Sequence, residues 1–231
     1  MRCSELRRGA LRGAVGVAGC LLLAATPAAA QTATPPAPYD ETITLQIWST
    51  DDRIIHGEES AERRLLREAR YTLTGLIYGW EFVYVPEYPT RGVERIFELV
   101  PLGGVEWGDP RLTVRDLRDE RTTLYGQLDY RLSDVDLARV RRWRTLGAAR
   151  SVGSGSAPLL LGLAGKEQSI EEAIHRAIRD YLRNRSFNRP REATGLVVLA
   201  EPPTVRTVAG TYEARVSVLI HLVEVLEYRV F

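Results

Sequence analysis

Residues Gly210–Phe231, GTYEARVSVLIHLVEVLEYRVF, read as one long β-strand, and this reading decides the class of the fold. Tyr212, Ala214, Val216, Val218, Ile220, Leu222, Leu226, Tyr228 and Val230 share one parity, interrupted only by Glu224. On an element of period two these side chains fall on one face, opposite Glu213, Arg215, Ser217, His221, Glu227 and Arg229. The expectation is a sheet strand with one face on a core. Leu219, Val223 and Val225 break the polar face in its middle, so the middle of the strand is expected to be covered on both sides. Strands usually run about 3–10 residues, so a bend or bulge should divide this one.

Working back from that strand, Thr194–Ala200 reads as a buried strand, Glu201-Pro202-Pro203 as a kink, and Thr204–Val208 as a strand returning through Ala209-Gly210. Before them Ser169-Ile170-Glu171-Glu172 has the form of a capping box. Ile170, Ala173, Ile174, Ala177, Ile178, Tyr181 and Leu182 then fall on one helical face. Residues 148–168, with SVGSGSAP followed by LLLGLAG, read as a Gly/Ser-rich linker, carrying at most a short buried strand at Leu159–Leu163.

The first half has a similar grammar. Glu41–Trp48 alternates as a strand, and Glu58–Ile77 repeats apolar residues at three and four as an amphipathic helix ended by Gly79. Trp80–Tyr88 follows as a strand, then Val93–Val100, where VERIFELV fits a strand or a short helix. Arg111–Leu117 and Thr122–Leu132 form a hairpin about the charged turn Arg118–Arg121. Ser133 caps a further helix to about Leu146, with Asp134 and Asp136 in its first turn. The class is therefore α+β: antiparallel sheet packed by two to three amphipathic helices. The order helix, strand, strand occurs twice, which suggests two pseudo-similar units, 41–147 and 169–231, the second packed on the first.

The N-terminal residues point to a compartment. Arg2, Arg7, Arg8 and Arg12 precede an apolar run, Ala14–Ala25, and small residues before Gln31. That is the pattern of a secretory signal peptide over 1–30, and the run is shorter than a membrane span requires. Val17-Ala18-Gly19-Cys20 resembles the lipobox of bacterial lipoproteins, in which the cysteine carries the lipid. Here Leu21, Leu22 and Leu23 prolong the apolar run past Cys20, so cleavage after Ala30 is the expectation and a lipid anchor at Cys20 the alternative. Residues 31–40 are Pro/Ala-rich and read as a tether. The two cysteines, Cys3 and Cys20, both lie in the leader, so a chain cleaved after Ala30 has no thiolate for catalysis, zinc or disulfides.

Charge directs the chain to no nucleic acid. Cleavage removes four of 31 basic residues and one of 30 acidic ones, leaving 27 against 29 and a net charge of −2. Lys166 is the single lysine among the basic residues.

No motif of a known catalytic family is legible, and none asks for a cofactor or metal. Ser49, Asp51, Asp52 and His56 fall close together but fit a turn and a helix cap. Asp129, Asp134 and Asp136 could offer oxygens to calcium but lack EF-hand spacing. Phe231 would suit an outer-membrane barrel, yet Glu227 and Arg229 share its parity and helices interrupt the strands. The remaining feature is aromatic. Tyr78, Trp80, Phe82, Tyr84, Pro86 and Tyr88 alternate along one strand as a core ladder or a stacking platform, with Trp80, Tyr84 and Tyr88 as the candidate partner contacts. The functional expectation is an exported periplasmic or envelope protein that binds or assembles with another envelope protein, a peptide or a glycan. The alternatives are a scaffold tethered through Cys20 and a hydrolase assembled from distant residues.

Overall fold

The computed structural model describes residues 41–50, 59–87, 92, 94–185 and 191–227, all within one compact unit spanning Ala37–Phe231. The elements run β1 (Thr42–Thr50), α1 (Ala61–Ile77), β2 (Trp80–Val85), β3 (Ile96–Pro101), β4 (Leu112–Glu120), β5 (Thr123–Arg131) and α2 (Asp134–Thr145). There follow β6 (Ala149–Pro158), α3 (Gly162–Arg185), β7 (Arg191–Leu199), β8 (Thr204–Val208) and β9 (Thr211–Glu227). The fold is α+β, with two antiparallel sheets. One is three-stranded in the order β1-β5-β4; the other is six-stranded in the order β3-β2-β7-β9-β6, with β8 also paired to β9.

Helix α1 packs against β1 and β5 of the small sheet and β7 of the large one, so it is buried on more than its apolar stripe. Ser60 caps it by accepting from Arg63 N–H at 3.3 Å. Gly79 follows with φ +71°, and a Cβ there would strike the Val197 carbonyl oxygen, so the tight exit into β2 needs glycine. Helix α3 lies on β6 and β9. Ile43, Leu45, Leu73, Ile77, Phe82, Leu128, Tyr130, Ile174, Val197 and Val218 are all at most 1% exposed and belong to one continuous core.

Strand β9 organises the large sheet as its length suggests. Along one edge it carries β6 over Thr211–Ile220; along the other it carries β8, then β7. Tyr212, Ala214, Val216, Val218 and Ile220 are at most 2% exposed, as their parity requires. The expected irregularity sits at Val223: Gly195 pairs with Leu222 and Thr194 with Glu224, leaving Val223 as the extra residue of a bulge. The bulge inverts the alternation. Val225 packs against the core, while Leu226 is 49% exposed, so the expectation that Leu226 faces inward is corrected. Tyr228 and Val230 lie outside the described residues.

Residues 148–168 are not a linker. Ala149–Pro158 forms edge strand β6, Leu159–Leu161 a 3₁₀ turn, and Gly162 begins α3. The composition misleads because Gly153 and Gly155 face a helix lying directly on them. A Cβ at Gly153 would collide with the Ala173 carbonyl and come 2.7 Å from the Ala177 nitrogen, and one at Gly155 would collide with Ser169 and Ala173 backbone. The glycines permit contact here, and flexibility plays no part. Nor is Leu159–Leu163 a buried strand, since Leu160 and Leu161 are 76% and 50% exposed. Ser169 is no cap; it lies inside α3, where its hydroxyl donates to the Lys166 carbonyl at 2.7 Å.

The two halves share one sheet. β2 pairs antiparallel with β7, so α1-β2-β3 and α3-β7-β9 meet through their first strands, and no boundary at 148 separates them. VERIFELV gives the strand β3, and the expected β4-β5 hairpin forms, but Arg118–Glu120 prolong β4 against Thr123–Tyr125 and the chain turns at Arg121-Thr122, with Arg121 at φ +59°. Ser133 and Asp136 complete the expected cap of α2 as a reciprocal capping box.

Candidate functional site

The aromatic ladder is core. Trp80, Phe82 and Tyr84 are 3%, 0% and 6% exposed, so Trp80 and Tyr84 offer no face to a partner and their candidate contact role is corrected. The reason is the parity itself: β2 lies inside the sheet between β3 and β7, and its even residues all turn toward the helices. Trp80 stacks near Tyr71 at 5.9 Å, and Tyr84 lies 5.7 Å from His175. Tyr88, like Cys20, lies outside the described residues.

The residues weighed for catalysis and metal are drawn apart or occupied. Ser49 accepts from buried Arg64 Nε at 2.9 Å, while Asp51, Asp52 and His56 lie outside the described residues. Asp129 accepts from Thr44 Oγ1 at 2.7 Å and pairs with Arg115 at 2.9 Å. Asp136 pairs with Arg111 at 2.7 Å, and Arg111 also holds Asp109, whose carboxyl is kept low chiefly by that hydrogen bonding. Among the described residues no group of three His, Cys, Asp or Glu side chains is placed to hold a metal ion.

Two buried clusters escape a reading of the sequence. Lys166 of α3 contacts Glu68 of α1 at 2.7 Å, donates to the Trp48 carbonyl of β1 at 2.8 Å, and sits 3.9 Å from the centre of the Trp48 ring. Burial raises the Glu68 carboxyl and lowers the Lys166 ammonium, and each charge offsets the other's desolvation. The pair fastens both helices to β1. The only available signal was the solitary lysine among arginines. His175 is 2% exposed, packs 4.7 Å from the Phe97 ring, and has no hydrogen-bond partner on either ring nitrogen among the described residues. Burial lowers its pKa, which favours the neutral ring in the fold.

Strand β3 stands at one edge of the large sheet. Among the described residues β3 pairs with β2 along one side only. Phe97 and Leu99 turn inward onto the core, whereas Ile96 and Val100 are 45% and 55% exposed on the outer face, with Leu102 just beyond at 45%. Cross-strand from them stand Val85 and Glu81. An edge strand normally carries devices against pairing, such as lysine, inward charges or a bulge; β3 has only Glu98 and the terminal Pro101. Its outward N–H and C=O groups and apolar flank are suited to receive another extended segment.

This architecture belongs to a known sequence family. A family model for a domain of unknown function matches residues 24–228. The chain belongs to that family. An uncharacterized protein of Treponema pallidum (strain Nichols) is 28% identical over 167 residues, covering 72% of this chain and 70% of that relative. No solved structure matches the chain. Among the described residues no helix is long and apolar enough to cross a membrane.

Proposed function

We propose that this protein is an exported component of the bacterial cell envelope that works as a binding or assembly module, taking an extended segment of an envelope protein or peptide along β3. The observation that carries the reading is the open edge of β3, whose Ile96 and Val100 are about half exposed beside backbone groups without a ladder partner among the described residues. Export is supported by the arginine-rich start, short apolar run and small residues of the first 30 positions. A binding role in preference to catalysis is supported by the occupied acids: Asp109, Asp129 and Asp136 are each held by an arginine.

Photo-crosslinking in the native host tests this. p-Benzoylphenylalanine replaces Glu98 on β3 or, as a control, the exposed Asp134 on α2. The expected result is one discrete adduct from position 98, abolished when Ile96 and Val100 are both changed to lysine in a protein that still melts normally. Equal adducts from both positions, or an adduct indifferent to the lysines, would remove β3 from the function.

A further inference from the structure

A second surface, remote in sequence from β3, has a different chemistry. Where β6 and β8 flank β9 lies a cleft of about 520 Å³, lined also by Arg176 of α3. That size falls within the range usual for small-molecule sites, about 300–1,000 Å³. Three arginines from three elements line it, Arg176 of α3, Arg206 of β8 and Arg215 of β9, against a single acid, Glu213. Arg206 is paired with Glu213 at 2.7 Å, and Arg176 with Glu172 at 3.0 Å. Arg215 is exposed and makes no hydrogen bond or ion pair with any described residue.

The register places Arg215 between two hydroxyls. It stands opposite Ser154 of β6 on one side and Thr204 of β8 on the other, and the neighbouring row is Ser156, Glu213 and Arg206. All these hydroxyls line the same cleft. A guanidinium flanked by hydroxyl donors is a set for an oxyanion, and Arg215 is the arginine of the cleft whose charge no carboxylate among the described residues offsets. A planar carboxylate is satisfied by one guanidinium fork. A tetrahedral phosphate has a further oxygen to accept from Ser154 or Thr204, so this arrangement suits phosphate better.

We infer that this cleft binds a phosphate-bearing ligand, with Arg215 as its principal contact and Ser154 and Thr204 as flanking donors. The phosphate can belong to a free small molecule or to a lipid headgroup, and both carry the same recognition chemistry.

The test uses the full chain and two probes: glycerol phosphate followed by calorimetry, and phosphatidylcholine vesicles with or without phosphatidylglycerol followed by co-sedimentation. Wild type is compared with Arg215→Gln, Arg215→Lys and, as a control of equal charge change, Arg144→Gln on exposed α2. The expected result is saturable binding of at least one probe, weakened tenfold or more in Arg215→Gln, partly kept in Arg215→Lys and unchanged in Arg144→Gln. Binding of glycerol phosphate identifies a free ligand; binding of phosphatidylglycerol vesicles alone identifies a headgroup. Binding of neither probe, or equal loss in Arg144→Gln, overturns the site. Because Arg215 is exposed, its variants should melt as wild type does, and changing Ile96 and Val100 should leave phosphate binding intact. Failure here therefore leaves the β3 reading standing, and the reverse.

Discussion

The ammonium of Lys166 stands 2.7 Å from the carboxylate of Glu68, and both side chains are under a tenth exposed. A chain with one lysine has placed it in its interior, on the helix that follows β6, against the helix that follows β1. Removing one partner strands a charge away from water, at a cost of about 3–5 kcal/mol, whereas replacing both by apolar residues of similar volume is often close to neutral. Lys166→Met and Glu68→Leu should each lower the urea midpoint sharply, and the double variant should recover most of the loss. A double variant as weak as either single one would mean that the contact to the Trp48 carbonyl, and not the pair, holds the helices to β1.

His175 gives the fold a pH dependence of definite sign. It faces Tyr84 and Phe97, lies 3.5 Å from Glu172, and is surrounded by Arg95, Arg176 and Arg179. Its pKa is lowered, mainly by burial, so the unfolded chain takes up the proton first as pH falls. The stability this site contributes is complete above the unfolded histidine value, near pH 6.5, and is lost below it, by at most about 1.4 kcal/mol per pH unit. Denaturant titrations between pH 7 and 5 should show a slope that His175→Phe reduces. An unchanged slope would assign the acid sensitivity to carboxylates.

Glycines of β6 separate the strand from the linker reading in one measurement. A flexible linker would tolerate Gly155→Ala or gain about 0.4–1 kcal/mol from it. In the strand, the added methyl meets Ser169 and Ala173 backbone, which cannot rotate away, and overpacking of this kind costs about 1–3 kcal/mol or more. A fall in melting temperature is expected for Gly155→Ala and Gly153→Ala alike.

The bulge at Val223 makes a prediction opposite to simple alternation. Leu226→Ala removes a half-exposed side chain and should change stability by no more than about 0.5 kcal/mol, whereas Val225→Ala removes a side chain packed on the core and should cost about 1 kcal/mol. Equal losses, or a larger one at Leu226, would mean that β9 continues in phase through Glu224.

Periodicity alone determined the elements whose signals are local. The Thr211–Ile220 stretch of β9, the wheel of α1, the cap of α2 and the β4-β5 hairpin follow from side-chain alternation, a 3.6-residue repeat and hydrogen bonds within one turn. Even the break at Glu224 was visible as a fault in the pattern. Its direction was not, because only the partner strand β7 decides whether a fault is a solvent-facing glutamate or an extra residue. The same limit governed β6. Ser-Gly-Ser-Gly is the composition both of a free linker and of a strand under a tightly packed helix, and only the position of α3 tells them apart. The aromatic ladder was legible as one face, but whether that face met water depended on β7 and the helices, which are far away in the chain. The open edge of β3, the pairing of Lys166 with Glu68 and the convergence of Arg176, Arg206 and Arg215 were decided by tertiary structure alone. Each joins residues dozens of positions apart, or depends on which of the described strands lie side by side, and no local pattern records what a distant segment does.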